Sequence, residues 1–329
     1  VTIGLTLGKY APLHRGHQLV IERACAENEH VIVVIYDAPE VTRISLEKRA
    51  GWIKTLYPNV EVILAKDGPT IVGDSPEVTR LHDAYLQRLL AGRNITHFYS
   101  SEFYGDHVSR ALNAIDRRVD ESRSSVPTSG TSIRCDPFRY RHFLDPVVYR
   151  DLITQVVFLG APSTGKTTLT SYLAEQFKTK WVPEYGREYW EKHHVQRRLT
   201  LEQLAEIAVG HRQSEDQMIV NANRYLFIDT DATTTYQFSM YYHDQAHPTV
   251  AKCADESRDR YQVFFLCDTD IPYDNTWDRS GEVHRENFQE AIESDLKRRG
   301  IKYVRIAGPL EQRVKRVTEI LNALEIEAI

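Results

Sequence analysis

The chain has 329 residues, of which 42% are hydrophobic and 26% charged, and a formal net charge of -5 at pH 7. That length accommodates about two domains at the usual ~150 residues each, and the mild acidity argues against a sequence-independent grip on nucleic acid, which needs a basic surface. No apolar run approaches the ~20 residues of a membrane span, no secretory segment is visible, and Cys25, Cys135, Cys253 and Cys267 show neither CxxC pairing nor metal-ligand spacing, so a reduced, cytoplasmic chain is expected.

In chain order, short β-branched runs alternate with amphipathic stretches: TIGLTL near the start, HVIVVIY (His30 to Tyr36), VEVILA (Val60 to Ala65) and ITHFYS (Ile95 to Ser100). Between them, SLEKRAGWIKTLY carries apolar residues at helical spacing behind Ser45, a weak cap. The stretch FLDPVVYRDLIT (Phe143 to Thr154) has no strong period, and a domain boundary is expected near residue 150. Alternation then resumes with QVVFLG, KWVPE, YLFID, YQVFFLC and IKYVRIAG, and the helix from Thr200 towards Ala222 opens on a Thr200/Gln203 capping box. The pattern predicts an α/β chain of two domains, 1–149 and 150–329, each built on a parallel sheet.

The first strand runs into GKYAPLHRGH, Gly8 to His17. Gly8, Lys9 and Tyr10 fall where a phosphate could approach the backbone, and a helix starting near Gly16 offers free N–H groups and a positive dipole end. His14 and His17 are then placed to donate to a polyphosphate as its charge grows. Alone, the pair also reads as a loop histidine and a helix-capping histidine without chemistry, and a zinc site lacks a third ligand. A second element, TSGTSIR (Thr128 to Arg134), adds small hydroxyls and an arginine suited to clamp phosphate oxygens.

With both elements in place the first half resembles the nucleotidyltransferase superfamily, which carries HxGH after its first strand and an ISSTxxR-like element before a late helix. Ser129, Thr131 and Arg134 match that element, whereas Thr128 and Gly130 depart from it. The resemblance implies a Rossmann-like domain that sets a nucleophilic phosphate against the α-phosphorus of ATP and expels pyrophosphate without a covalent intermediate.

The second phosphate motif is GAPSTGKTT, spanning Gly160, Ala161, Pro162, Ser163, Thr164, Gly165, Lys166, Thr167 and Thr168. It is a P-loop in its required strand-to-helix context: backbone N–H groups cradle ATP phosphates, Lys166 reaches the β and γ oxygens, and Thr167 ligates Mg2+. Asp229, at the end of YLFID, is expected as the second Mg2+ group, followed by Asp231. VPEYGREYW supplies Glu184, Tyr185 and Arg187 where small-molecule kinases keep substrate-binding groups; by themselves these charges read as a solvated first turn of a helix. The charged stretch CDTDIPYDNTWDRSGEVHRENF, with Arg279 and Arg285, is expected to close over ATP as a lid.

The two halves in this order resemble the bifunctional NadR-type proteins, on GKYAPLHRGH, RAGWI with Arg49 and Trp52, FYSSE, TSIRCDPFRY, the P-loop, EYGRE, IDTDATTT and AHP. The resemblance implies a nicotinamide-mononucleotide adenylyltransferase followed by a ribosylnicotinamide kinase, with ribosylnicotinamide, nicotinamide mononucleotide, NAD and ATP as partners and Mg2+ as cofactor. It also implies that Arg49 and Trp52 belong to the first site, and it leaves Glu184 and Asp229 both open as the group that accepts the hydroxyl proton. Many members carry an N-terminal helix-turn-helix; none precedes Val1 here, so nucleic-acid binding is not expected of this sequence unless its natural N-terminus is longer. An adenylyltransferase-kinase pair for coenzyme A, and an NAD/ATP sensor with one silent half, are the other readings; a homo-oligomer is left open.

Overall fold

The computed structural model describes the chain apart from residues 72, 74, 103, 196–197, 274–284 and 327–329. It divides into two units, Val1–Tyr149 and Arg150–Ile329.

In the first unit β1 (Ile3–Gly8), β2 (His30–Tyr36), β3 (Glu61–Ala65), β4 (His97–Ser100) and β5 (Ile115–Arg118) form one sheet in the order β3-β2-β1-β4-β5. Every neighbouring pair is parallel. β2 is apolar and buried from Val31 to Tyr36, as strands covered on both faces are. β5 is not announced by periodicity. Its sequence, IDRR, alternates between exposed and half-buried positions, and an edge strand tolerates such charge. Between the strands run α1 (Arg15–Glu27), α2 (Leu46–Leu56), α3 (Pro76–Leu89) and α4 (Gly105–Leu112), followed by the short α5 (Gly130–Cys135) and α6 (Pro146–Arg150). The Ser45 hydroxyl does cap α2, accepting from the Lys48 N–H at 3.2 Å. Strand order reverses at β1, so a crevice is expected beyond the carboxyl ends of β1 and β4.

In the second unit β6 (Thr154–Leu159), β7 (Lys180–Val182), β8 (Tyr225–Asp229), β9 (Val263–Cys267) and β10 (Val304–Ile306) are ordered β10-β9-β6-β8-β7, again all parallel. The helices are α7 (Lys166–Gln176), α8 (Tyr185–His193), α9 (Leu201–Ile219), α10 (Ala232–His243), α11 (Pro248–Arg260), α12 (Arg285–Arg298) and α13 (Leu310–Ile326). Phe158, Phe227 and Phe265 on the three inner strands are fully buried with Leu169 and Leu173 of α7 and Val317 and Leu321 of α13. α9 opens on the expected box: the Thr200 hydroxyl accepts from the Gln203 N–H at 3.2 Å, and the Gln203 side-chain Oε1 accepts from the Thr200 N–H at 2.9 Å. Among the described residues no helix is long and apolar enough to cross a membrane.

The carboxyl ends of β6 and β9 approach too closely for a side chain between them. Gly160 has φ 142°, and a Cβ there would lie 2.7 Å from the Cys267 carbonyl oxygen. Gly160→Ala is therefore expected to destabilise the second unit by about 1–3 kcal/mol, as overpacking does; an unchanged melting temperature would show that the two strands part freely.

Candidate active sites

A cavity of about 430 Å³ opens at the carboxyl ends of the first sheet. Gly8, Lys9, Tyr10, His14 and His17 line it from one side, and Ser129 and Arg134 from another. His14 is the N-cap of α1: its Nδ1 accepts the Gly16 N–H at 3.1 Å, and His17 Nδ1 completes a capping box by accepting the His14 N–H at 3.4 Å. The rings stack with centroids 3.8 Å apart. The capping role and a role in the cavity therefore coexist. Because each Nδ1 accepts from a backbone N–H, the neutral rings carry their proton on Nε2.

They are neutral at pH 7. Burial first, then the charges of Arg123 and Arg134, pull His14 down to about 4. Burial also pushes His17 well below the usual range, reinforced by His14 and Arg123 and partly offset by the Pro12 carbonyl. Positive charge here comes from the Arg123 and Arg134 guanidinium groups and from Lys9, which is paired with Glu40. Arg134 donates to the Ala11 carbonyl at 2.6 Å and to Thr131 Oγ1 at 3.1 Å, which fixes it at the cavity wall.

The second cavity, about 470 Å³, surrounds the P-loop. Gly160, Pro162, Ser163, Thr164, Gly165 and Lys166 line it, followed by Thr167 and Thr168 at the start of α7. The Lys166 ammonium donates to the Gly160 and Ala161 carbonyls at 2.9 and 3.0 Å. Thr167 Oγ1 donates to Asp229 Oδ2 at 2.5 Å, while Asp229 Oδ1 is buried with no partner. Opposite, Glu184 and Arg187 face the cavity, paired at 3.6 Å. Asp231 caps α10 through Oδ1, which accepts from the Thr233 N–H and hydroxyl at 3.0 and 2.5 Å; its Oδ2 is buried and unpartnered. Burial and the nearby Glu184 carboxylate push Asp229 up to about 6, against the pull of Lys166 and Thr167. Two hard oxygen ligands, one with an unused buried lone pair, suit Mg2+, which takes few protein groups and completes its shell with phosphates. Among the described residues no group of three or more His, Cys, Asp or Glu is gathered for a metal.

Residues 155–313 match a family model described as an AAA domain. Two curated relatives, the trifunctional NAD biosynthesis/regulator protein NadR of Escherichia coli and that of Salmonella typhimurium, are each 28% identical over 93% and 92% of this chain, which spans 78% of their length. The chain resembles NadR-type proteins over nearly its whole length. A solved NadR protein in complex with NR superposes with a TM-score of 0.57 at 24% identity, covering 93% of this chain and 90% of that one. Another, in complex with NAD and AMP-PNP, gives 0.55 at 23%, covering 93% and 91%. At these identities the likeness to the two structures is one of fold. With this likeness and a P-loop domain, it is an enzyme of the transferase class.

Several expected site residues lie away from the cavity linings. Arg49 and Trp52 line neither: Arg49 is fully buried, donating to the carbonyls of Lys9, Tyr36 and Ile44 at 2.6, 2.9 and 3.0 Å, so it shapes the loop after β1. Thr131 is exposed and serves Arg134. In the second unit Ala161 is buried under the P-loop, and Asp229 reaches the cavity through Thr167. Tyr185 packs against α9, where a Cβ on Gly210 would come within 2.6 Å of its ring.

Arg285 was expected in a moving lid and is instead the buried first residue of α12, donating to the Ser163 and Ile271 carbonyls at 2.9 and 3.0 Å. A group engaged with two carbonyls braces the P-loop. Arg279 lies outside the described residues. Conversely, Arg123 lines the first cavity, held on a turn whose Asp120 carboxylate accepts the Ser125 and Val126 N–H groups at 2.9 Å each. Its place six residues before Ser129, ahead of the phosphate-clamp element, is the signal that could have found it. Trp190, the last residue of VPEYGREYW, and His211, which carries no motif, also line the second cavity.

Two outcomes follow from these charges. Arg123→Ala should raise the His14 pKa measured by NMR while leaving it below ~6.5, the unperturbed value, because burial is the larger cause; an unmoved titration would place the guanidinium elsewhere in solution. Asp229 has a folded pKa above its unfolded value, so the folded state holds its proton better and stability is lost as pH rises between about 4 and about 6. Asp229→Asn should consequently raise the melting temperature at pH 7 in Mg2+-free, nucleotide-free buffer, by roughly 2–4 °C per kcal/mol relieved in a domain of this size, and the gain should fade towards pH 4. A fall at pH 7 would mean that the Thr167 hydrogen bond outweighs the buried charge.

Proposed function

We propose that this chain makes NAD in two steps, phosphorylating ribosylnicotinamide in the second unit and joining the mononucleotide to the AMP of ATP in the first. The observation that carries the reading is two nucleotide-sized cavities, one walled by a histidine pair and two arginines, the other by a P-loop and the Glu184 and Asp231 carboxylates, with Asp229 behind its wall. The strand order β3-β2-β1-β4-β5 supports a Rossmann-like nucleotidyltransferase domain over 1–149, with the kinase domain over 150–329. The relatives' names, NAD biosynthesis/regulator protein, and the NR, NAD and AMP-PNP of the neighbouring structures support the substrates.

In the first unit the mononucleotide phosphate oxygen bonds to the α-phosphorus of ATP, and the bond to the β-phosphate oxygen breaks, that oxygen keeping the electron pair as pyrophosphate leaves. His14 and His17 donate Nε2–H groups to the triphosphate, while Arg123 and Arg134 balance its charge. Neutral histidines suit this role. They add directed hydrogen bonds at the point where charge grows, and donors of this kind are worth ~10²–10³-fold each when aimed at a developing oxyanion.

In the second unit Thr167 and Asp229 would hold Mg2+, which when bound neutralises β and γ phosphate charge. Asp229 is engaged by Thr167 and lies behind the cavity wall, so Glu184 is the carboxylate free to accept the substrate hydroxyl proton. Asp231 Oδ2, unpartnered and facing the same cavity, is assigned to the nucleoside hydroxyls. A hydroxyl held in line needs placement more than a strong base.

The two activities should separate by mutation. Lys166→Ala is expected to abolish mononucleotide formation from ribosylnicotinamide and ATP while leaving conversion of supplied mononucleotide to NAD near normal. His17→Ala should do the reverse, lowering NAD formation by about 10²-fold or more. Product analysis by mass spectrometry reads both, and loss of both activities in either folded variant would sink the two-site reading.

A further inference from the structure

We propose that His211 of α9 is a positioning residue for phosphoryl transfer: it holds the peptide between Asp229 and Asp231 in the conformation that sets Asp229 against Thr167 and Asp231 at the P-loop cavity. The inference rests on the kinase reading of the second unit. Thr230 separates the two carboxylates, and its φ is 65°. That is the left-handed region, where a β-branched side chain crowds its own backbone and which such residues avoid. Residues persist there when their surroundings over-determine them, and such sites gather where function is.

Two hydrogen bonds fix this peptide. The Thr230 N–H donates to the Phe158 carbonyl of β6 at 3.0 Å, continuing the pairing of β6 with β8. The Thr230 carbonyl accepts from His211 Nε2 at 3.1 Å. A carbonyl can only accept, so Nε2 carries the proton. The imidazole is itself steered by Glu215, one turn further along α9, whose Oε1 lies 3.3 Å from the same nitrogen. Glu215 is fully buried and anchored by Arg260 Nε at 2.7 Å and the Tyr261 hydroxyl at 2.8 Å.

An ordered relay therefore runs from α11 through α9 to a single strained peptide. What that peptide sets is visible on both sides. Asp229 meets the Thr167 hydroxyl, and Asp231 caps α10 with one oxygen while its other oxygen stays buried and unpartnered at the cavity. Were Thr230 to relax to a negative φ, the chain would turn differently between them, and both could not keep these positions. His211 is 5% exposed and acts through the Thr230 carbonyl, not on the reacting atoms.

The test is a double-mutant cycle on kinase turnover with ribosylnicotinamide, ATP and Mg2+. Wild-type turnover is measured first, and its absence would overturn the kinase reading itself. Given turnover, His211→Ala should lower kcat by about 10²-fold, the scale of a small misplacement of reacting groups, with KM for ATP changed little. His211→Gln should recover most of the loss, because its amide N–H can reach the same carbonyl. In a Thr230→Gly background the His211→Ala effect should shrink to less than about tenfold, since glycine holds a positive φ without help. A merely structural histidine would not give that dependence on residue 230. An undiminished effect in the glycine background, or a wild-type kcat in His211→Ala, would overturn the proposal. Should His211→Ala fail to fold, His211→Met, which fills the space but donates nothing, carries the same comparisons.

Discussion

A helix leaves its first backbone N–H groups without partners, and both units place such a turn at the end of a central parallel strand. What differs is how the turn is completed. In the first unit the His14 ring takes the Gly16 N–H, and His17 reaches back to the His14 N–H, so part of the helix terminus is satisfied by the histidines themselves. Its attraction for anions passes outwards, to the two Nε2–H groups and to the guanidiniums around them. In the second unit the N-cap is Gly165, with φ 78° and no side chain to offer. No side chain caps the turn that opens α7; the Gln289 side-chain oxygen accepts the Ala161 N–H at 2.8 Å, and Lys166 lies alongside. One physical problem thus has a side-chain solution and a backbone solution in the same chain.

The carboxylates of the second unit are the other half of that arrangement. Glu184 and Asp231 line a cavity that also holds Lys166 and Arg187, and Asp229 stands behind it on Thr167. Fully buried Asp229 carries the cost of this gathering in its raised pKa, and it keeps one oxygen without a partner. A buried carboxylate is tolerated when a cation completes it. Lys166 does so only in part, since its ammonium is engaged with the Gly160 and Ala161 carbonyls. A divalent ion brought in with phosphate fits the remaining deficit in charge and in coordination.

How much of this the sequence revealed follows from what periodicity can carry. β1, β2, β6, β8 and β9 are continuous apolar runs because helices cover both faces of a parallel sheet, and the P-loop has a fixed spacing, so both are legible. β5 is not: an edge strand reading IDRR has no apolar pattern to offer. α9 ends at Ile219, although its apolar pattern runs on towards Ala222. The histidine pair was legible as two readings, cap or chemistry; the structure shows the cap, made by the two Nδ1 atoms, and places both rings at the cavity. His211 escaped notice because its partner is a backbone carbonyl 19 residues away, a contact that only the strand-to-helix packing creates.

Arginine is where sequence and structure part most clearly, and the reason is geometric. Arg49, Arg285 and Arg313 are 0%, 4% and 3% exposed, and each spends its guanidinium on carbonyl oxygens of a ligand-binding loop or its neighbours: Lys9 for Arg49, Ser163 for Arg285, Thr164 for Arg313. Arg123, Arg134 and Arg187 are exposed residues at the cavity rims. The two groups are chemically identical, and motif position alone assigned Arg49 and Arg285 to ligand contact. A planar fork of five donors can freeze a loop whose carbonyls turn inward as readily as it can grip a phosphate. Freezing matters in its own right, because a P-loop presents its N–H groups inward only while its carbonyls are turned out and held. The bracing arginines thereby contribute to anion binding from the far side of the loop, without touching the anion.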